Sequence, residues 1–185
     1  MAFNVGQFRS QLIGDGARPN LFEINMNMPT YSQNSAVTSQ SLTFLAKAAQ
    51  LPGSTVGIAP LFYFGRELKF AGNRNFGDWT ITIINDENFL IRKGFESWMN
   101  AINSHAANER SVLAYSPTSY TQDAFVTQYS KIGASSTLKK YRFVGAFPVD
   151  VSPIDLDWGS NDTIEEFTVT LAYQWWESVG DGTTT

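Results

Sequence analysis

At 185 residues the chain is long enough for one domain with a buried core, and 43% hydrophobic and 14% aromatic residues make it globular rather than disordered. Cysteine is absent, which excludes disulfides and cysteine-ligated metals, and no apolar run reaches the roughly 18 residues of a membrane-spanning helix. The net charge is −4 with a pI near 4.9, and the 13 basic residues are scattered, Lys139, Lys140 and Arg142 being the closest group; this argues against a protein that grips nucleic acid, though not against one that lets DNA pass.

The N-terminal stretch MAFNVGQFRSQLIGDG has neither a basic n-region nor an apolar h-region, so the expectation is folding in a cytoplasm. We read residues 1–185 as a single domain, with 1–19 as an arm that holds a short helix and 178–185 as a flexible tail. Phe3, Phe8, Leu12 and Ile13 are the loosely periodic apolar positions of that helix, and GDGARPN ends it. LFEINMNM alternates, with Phe22, Ile24, Met26 and Met28 against Glu23, Asn25 and Asn27, which predicts a half-buried strand. Pro29 to Ser41 is polar and reads as a loop. SLTFLAKAAQ is ambiguous, with strand favoured before Leu51-Pro52-Gly53. Ser54 to Gly72 predicts a long hairpin, interrupted by Pro60 and Gly65.

DWTITII alternates again, Trp79, Ile81 and Ile83 against Asp78, Thr80 and Thr82. Asn85 or Asp86 then suits a helix cap, with Glu87 in the first turn, and Ile91, Phe95, Trp98 and Ile102 share one helical face. Asn103 to Gln122 reads as loop. Val126 to Lys131 and Leu138 to Phe147 predict two strands joined by GASS, the second with Tyr141, Phe143 and Phe147 on one face and Lys140 and Arg142 on the other. Ile164 to Trp176 is the longest alternation, with Phe167, Val169, Leu171, Tyr173 and Trp175 opposite Glu166, Thr168, Thr170, Ala172 and Gln174. The fold class expected is mainly β: an antiparallel sandwich or barrel-like subunit with one flanking helix. Polar faces rich in Thr, Asn and Gln can be simply wet, or can line an aqueous lumen.

The residue types offer little chemistry. His105 is the sole histidine and sits in a polar loop, so a role as base toward Ser104 or Ser111 lacks an orienting partner. Asp155, Asp157, Asp162, Glu165 and Glu166 cluster, but their spacing is generic for a glycosidase pair and irregular for a calcium loop. Gly14, Gly16 and Gly72 build no phosphate loop. Trp158, Trp175 and Trp176 could form a sugar platform, whereas Trp79 and Trp98 lie on apolar faces and read as core. The expectation is no enzyme, no cofactor and no metal.

Four segments taken together carry a resemblance: GDGARPNLFEI, the Leu51-Pro52-Gly53 turn, AGNRNFGDWTITIINDE and LDWGSNDTIEEFTVTLAYQWWE, with Phe95 and Trp98 between the last two. In order and spacing the chain resembles the tail tube proteins of T-even-type contractile bacteriophages, a family similar to the tubes of phage-derived bacteriocins, other contractile injection particles and type VI secretion. Residues 103–122 match poorly, and the 29–41 loop and the 178–185 tail look longer than in short members. The resemblance implies hexameric rings that stack inside a contractile sheath, their strands joining a ring-spanning inner barrel. It implies as partners the subunit itself, the sheath, baseplate or tube-initiator and terminator proteins, and genomic DNA as cargo that is not tightly bound. It places the protein in the virion after assembly in the host bacterial cytoplasm, and it supplies no catalytic residue.

On that reading, Glu166, Thr168, Thr170 and Gln174 are the candidates for facing the lumen. The exposed run Phe62, Tyr63 and Phe64 on the long hairpin is a candidate interface between subunits or rings. Of the adjacent tryptophans, Trp175 is expected in the subunit's own core. Trp176 is covered either by a neighbouring subunit or by a loop or the C-terminal tail. A tube from a DNA-free injection particle is the alternative within the class, and a carbohydrate-binding β-sandwich module the alternative outside it, with a cryptic hydrolase third.

Overall fold

A computed structural model describes residues 4–12, 16–131 and 133–180, with side chains described outside 133–135. The expected roles of Phe3, Ile13, Gly14, the side chains of 133–135 and the 181–185 tail fall outside those residues. The elements in chain order are α1 (Val5–Gln11), β1 (Phe22–Met26), α2 (Ser35–Leu45), β2 (Ala46–Ala49), β3 (Thr55–Tyr63), β4 (Arg66–Asn75), β5 (Trp79–Ile84), α3 (Leu90–Ile102), a 3-10 turn (Val112–Ala114), α4 (Pro117–Tyr120), β6 (Gln122–Ser130), β7 (Gly133–Val151), β8 (Glu166–Ala172) and β9 (Trp175–Val179).

Seven strands form one antiparallel sheet, and β3 and β4 form a separate ribbon. The long strand β7 belongs to two wings of the sheet. Its earlier part pairs with β6 and β9, and β6 pairs in turn with β1. Its last residues, Phe147 to Val151, pair with β8, which continues to β5 and β2. Gly145, at φ +66°, marks the change: the β6 register slips there, and Asp123 Oδ1 accepts from the Gly145 N–H at 3.1 Å. A residue with a Cβ disfavours that backbone region, so glycine is the residue that lets the strand bend.

The wings face each other across the core. Phe143 of the first and Trp79 of the second stack with nearly parallel rings 4.0 Å apart, both buried. Ile24 and Met26 join from β1, Ile81 and Ile83 from β5, and Phe167, Val169 and Leu171 from β8. Helices α2 and α3 close one side, with Leu42, Ile91, Phe95 and Trp98 all buried. The expected mainly-β sandwich with a flanking helix is therefore present.

Several boundaries differ from expectation, among them the 103–122 stretch, read as loop, which holds the 3-10 turn Val112–Ala114 and α4 at Pro117–Tyr120. Pro29 to Ser41 is not all loop, because α2 starts at Ser35 and runs through Leu45, after which only Ala46–Ala49 is strand. Its buried stripe is only Thr38 and Leu42, one helical turn apart, too thin to register as amphipathic. The N-cap of α3 is Phe89, at φ 56°, rather than Asn85 or Asp86, and Glu87 precedes the helix instead of lying in its first turn; the Asp86 carboxylate still accepts from the Leu90 N–H at 3.0 Å. The run from Ile164 to Trp176 is two strands in different wings: β8 ends at Ala172, and the chain bends at Tyr173 and Gln174 before β9.

Candidate functional site

That bend decides the tryptophan question. In β8 the odd-numbered residues point inward, but across the bend the alternation slips by one, and in β9 the even-numbered Trp176 turns toward the core. Trp176 is half-buried, its Nε1 donates to the Gly53 carbonyl at 3.0 Å, and its ring meets Tyr141 edge-on with centroids 5.4 Å apart. Trp175 is 48% exposed, on the outer face opposite Val144. The expectation that Trp175 fills the core is thus corrected; of the pair, Trp175 is the one left uncovered within the subunit.

The hairpin β3–β4 follows from a two-residue turn. Phe64 and Gly65 both take positive φ, 47° and 78°, the backbone of a type I′ turn, whose twist matches the flanking strands. The register that this sets pairs Leu61 with Leu68, Ala59 with Phe70 and Tyr63 with Arg66. One face of the ribbon therefore carries Ala59, Leu61, Tyr63, Leu68 and Phe70, all exposed. The other alternates apolar and charged groups, Phe62 against Glu67 and Pro60 against Lys69. Tyr63 and Phe64 make an edge-to-face pair 4.6 Å apart, and Phe64 stands 92% exposed at the tip. None of these aromatics touches the core cluster. Sequence inspection found the aromatic run but missed the apolar face, which the turn and the register together would have revealed.

Glu166, Thr168 and Thr170 lie on the outer face of the second wing, opposite the buried Phe167, Val169 and Leu171. Their cross-strand neighbours on β5 are Ile84, Thr82 and Thr80, and the hydroxyls of Thr80 and Thr170 are 3.4 Å apart. Thr80 and Thr82, which the DWTITII alternation already pointed outward, extend the same patch. Lys47 pairs with Glu166 at 2.5 Å along its edge. Gln174 is not part of it: it lies in the bend, beside Gly145 and with its N–H on the Val144 carbonyl.

The outer face of the first wing is built differently. Arg142 bridges Asp123 at 2.6 Å and Glu177 at 2.9 Å, and Lys140 lies 4.8 Å from the Phe125 ring centre. The Tyr129 hydroxyl donates to Glu23 at 2.6 Å. That hydrogen bond, with burial and the Glu23 charge behind it, pushes the phenol up to about 12.

The groups considered for catalysis are dispersed into structural roles. His105 is exposed, and its backbone N–H donates to Asn100 Oδ1. Ser104 Oγ accepts from the Glu109 N–H, and Ser111 Oγ from the Leu113 N–H. Glu165 accepts from Asn85, Glu166 pairs with Lys47, and Asp157 accepts from the Gly159 N–H. No group of three or more metal-ligating side chains occurs among the described residues. Trp158 is fully exposed, and the cleft beside it is lined by residues of the 153–166 segment rather than by Trp175 or Trp176, so the three do not make one platform.

A family model described as phage tail tube protein matches residues 17–179. The chain is 36% identical to tail tube protein gp19 of Enterobacteria phage T4 over 164 residues, covering 89% of this chain and 93% of that one. Among solved structures it is similar to a chain of the anti-feeding prophage baseplate, with a TM-score of 0.61 at 16% identity, covering 89% and 95%. A chain of the sheath–tube complex of an extracellular contractile injection system, PVC, gives a TM-score of 0.60 at 15% identity, covering 91% and 95%. At those identities the two structures speak to the fold alone.

Proposed function

Because the chain belongs to the phage tail tube protein family, we propose that it builds the inner tube of a contractile phage tail by stacking hexameric rings into a conduit for DNA. The observation that carries this reading is the β3–β4 ribbon, whose apolar face stays exposed and outside the core cluster among the described residues. A protein that keeps such a surface has a partner for it, since exposed apolar strands otherwise invite aggregation. Phe62, Tyr63 and Phe64 are the proposed contact, with Trp175 replacing Trp176 as the aromatic presented by β9.

The outer face of the second wing is the proposed lumen wall. That wing contributes four strands, β7, β8, β5 and β2. Six copies would close about 24 strands, which at a spacing of about 4.8 Å and a tilt near 40° gives a backbone diameter of roughly 48 Å and, inside the side chains, roughly 35–40 Å. A duplex fits that bore. Thr80, Thr82, Thr168 and Thr170 offer hydroxyls without positive charge, and Glu166 offsets Lys47, so phosphate finds no counter-charge to hold it. Sheath, tube initiator and terminator are the partners expected around the tube, in the virion after assembly in the host cytoplasm. The sequence relatives are phage proteins, which favours a DNA conduit over a DNA-free particle.

Negative-stain electron microscopy of the purified protein, alone and with preformed tube ends, tests the reading. Hollow tubes with six-fold end views, or extension of the supplied ends, are the expected result. A chain that stays monomeric and extends nothing overturns it. Phe62→Ala with Phe64→Ala should abolish assembly, and normal tubes from that variant would remove the ribbon from the interface.

A further inference from the structure

The tip of the ribbon is exposed at Phe64, and the inference drawn from it rests on the tube reading above. At the base of the hairpin, where the chain enters β3 and leaves β4, lies a cleft of about 460 Å³ lined by Pro52, Phe76, Asp78, Trp79 and Tyr173. This is within the size range of clefts that take small-molecule groups. Phe64 stands at the opposite end of the ribbon. With about 3.3 Å per residue over the nine residues of β3, tip and cleft are roughly 30 Å apart. A two-stranded ribbon cannot fold back onto its own base, so the tip reaches such a cleft only on another copy.

We propose that Phe64 of one subunit seats in the hairpin-base cleft of a second copy, with Arg66 beside the tip pairing with Asp78 at the mouth of the cleft. The tip is shaped for insertion: Phe64 holds a positive φ that a non-glycine residue disfavours, and this turns its ring outward at 92% exposure. The cleft is of the right chemistry, with Trp79 buried behind it and the rings of Phe76 and Tyr173 at its walls. The charges are complementary. Arg66 and Asp78 are both exposed, and neither has an ion-pair partner among the described residues. Burial first and the Asp78 charge second raise the Tyr173 phenol, so the field of that carboxylate is felt inside the cleft.

The contact is also of the kind a tube requires. Knob and hole occupy different places on one chain, so the interface is head-to-tail: each copy that receives a tip still offers its own, and the contact propagates into closed rings or filaments rather than stopping at a dimer. A self-complementary patch would stop there.

The test uses two charge reversals in the full chain, Arg66→Asp and Asp78→Arg, followed by electron microscopy and sedimentation of tubes. Each variant alone sets like charges against each other and should lower tube yield at least about tenfold, as like-charge contacts across an interface do. An equimolar mixture of the two should recover tubes, because every tip then finds an opposite charge in the cleft of the other variant. The melting temperature of the subunit should stay at the wild-type value in both, since neither residue has an ion-pair partner among the described residues. Phe64→Ala should fail to assemble, alone or mixed. Tubes at wild-type yield from either single variant, or a mixture that stays monomeric while the wild type assembles, overturns the proposal and leaves the tube reading standing. A wild-type protein that neither assembles nor extends tube ends overturns both.

Discussion

Strand β5 and the hairpin β3–β4 alternate in the same way and end in opposite environments. In β5, Trp79, Ile81 and Ile83 are all 2% exposed or less, locked between β8 and the stacked Phe143. In the ribbon, Leu61, Tyr63, Leu68 and Phe70 line one face just as regularly and remain 41–65% exposed. The difference lies in neighbours. Strand β5 sits inside its wing with β8 and β2 on either side, whereas each ribbon strand pairs with its twin alone. An isolated two-stranded ribbon is marginal in water. Sandwich residues should therefore govern subunit stability, and ribbon residues should govern assembly.

Substitutions in the two regions should separate these quantities. Phe143→Ala, which removes a fully buried ring from the Trp79 stack, should cost about 3–5 kcal/mol in urea unfolding of the isolated subunit. Gly94→Ala should cost about 1–3 kcal/mol, because a Cβ there meets Thr38 Cγ2 at 2.7 Å where α2 crosses α3; Thr38→Ser, which deletes that methyl, should recover much of the loss. Trp176→Ala should cost about 1–2 kcal/mol through its half-buried ring and its hydrogen bond to Gly53, whereas Trp175→Ala should stay within about 0.5 kcal/mol and act on assembly instead. A stability loss from Trp175→Ala equal to that from Trp176→Ala would contradict the phase slip at the β8–β9 bend. Phe62→Ala with Phe64→Ala should move subunit stability by less than about 0.5 kcal/mol while removing tubes.

The smallest effect expected is a slope with pH. Tyr129 keeps its proton in the folded state up to about 12, against 10.0 in its ordinary environment, so its contribution is complete below pH 10 and is lost as pH rises toward 12. Stability should fall across that window, and Tyr129→Phe should make the fall shallower. Burial also raises Tyr31 and Tyr173, so part of the slope should remain.

Where sequence and structure part, the cause is physical in each case. The helical face of Ile91, Phe95 and Trp98 was legible because its repeat is strong and all three side chains enter the core. Helix α2 was not, because two inward residues in a field of Ser and Thr leave no periodic signal. The lumen candidates were legible as an alternation on β8, but Gln174 was grouped with them only because a bend has no signature when the apolar pattern runs through it.

The sequence by itself determined the period of each strand, the buried stripe of α3, the hairpin and its aromatic tip, and the absence of a sulfur or histidine metal set. These are local properties, written in residue spacing and type. Only the tertiary structure decided which face of an alternation is inside after the chain bends, that Thr80 and Thr82 share a surface with Thr168 and Thr170, and that a cleft opens at the foot of the ribbon. Each of those depends on partners brought from far along the chain, Ile83 beside Phe167 or Trp176 against Gly53, and the spacing of neighbouring residues does not encode such distances.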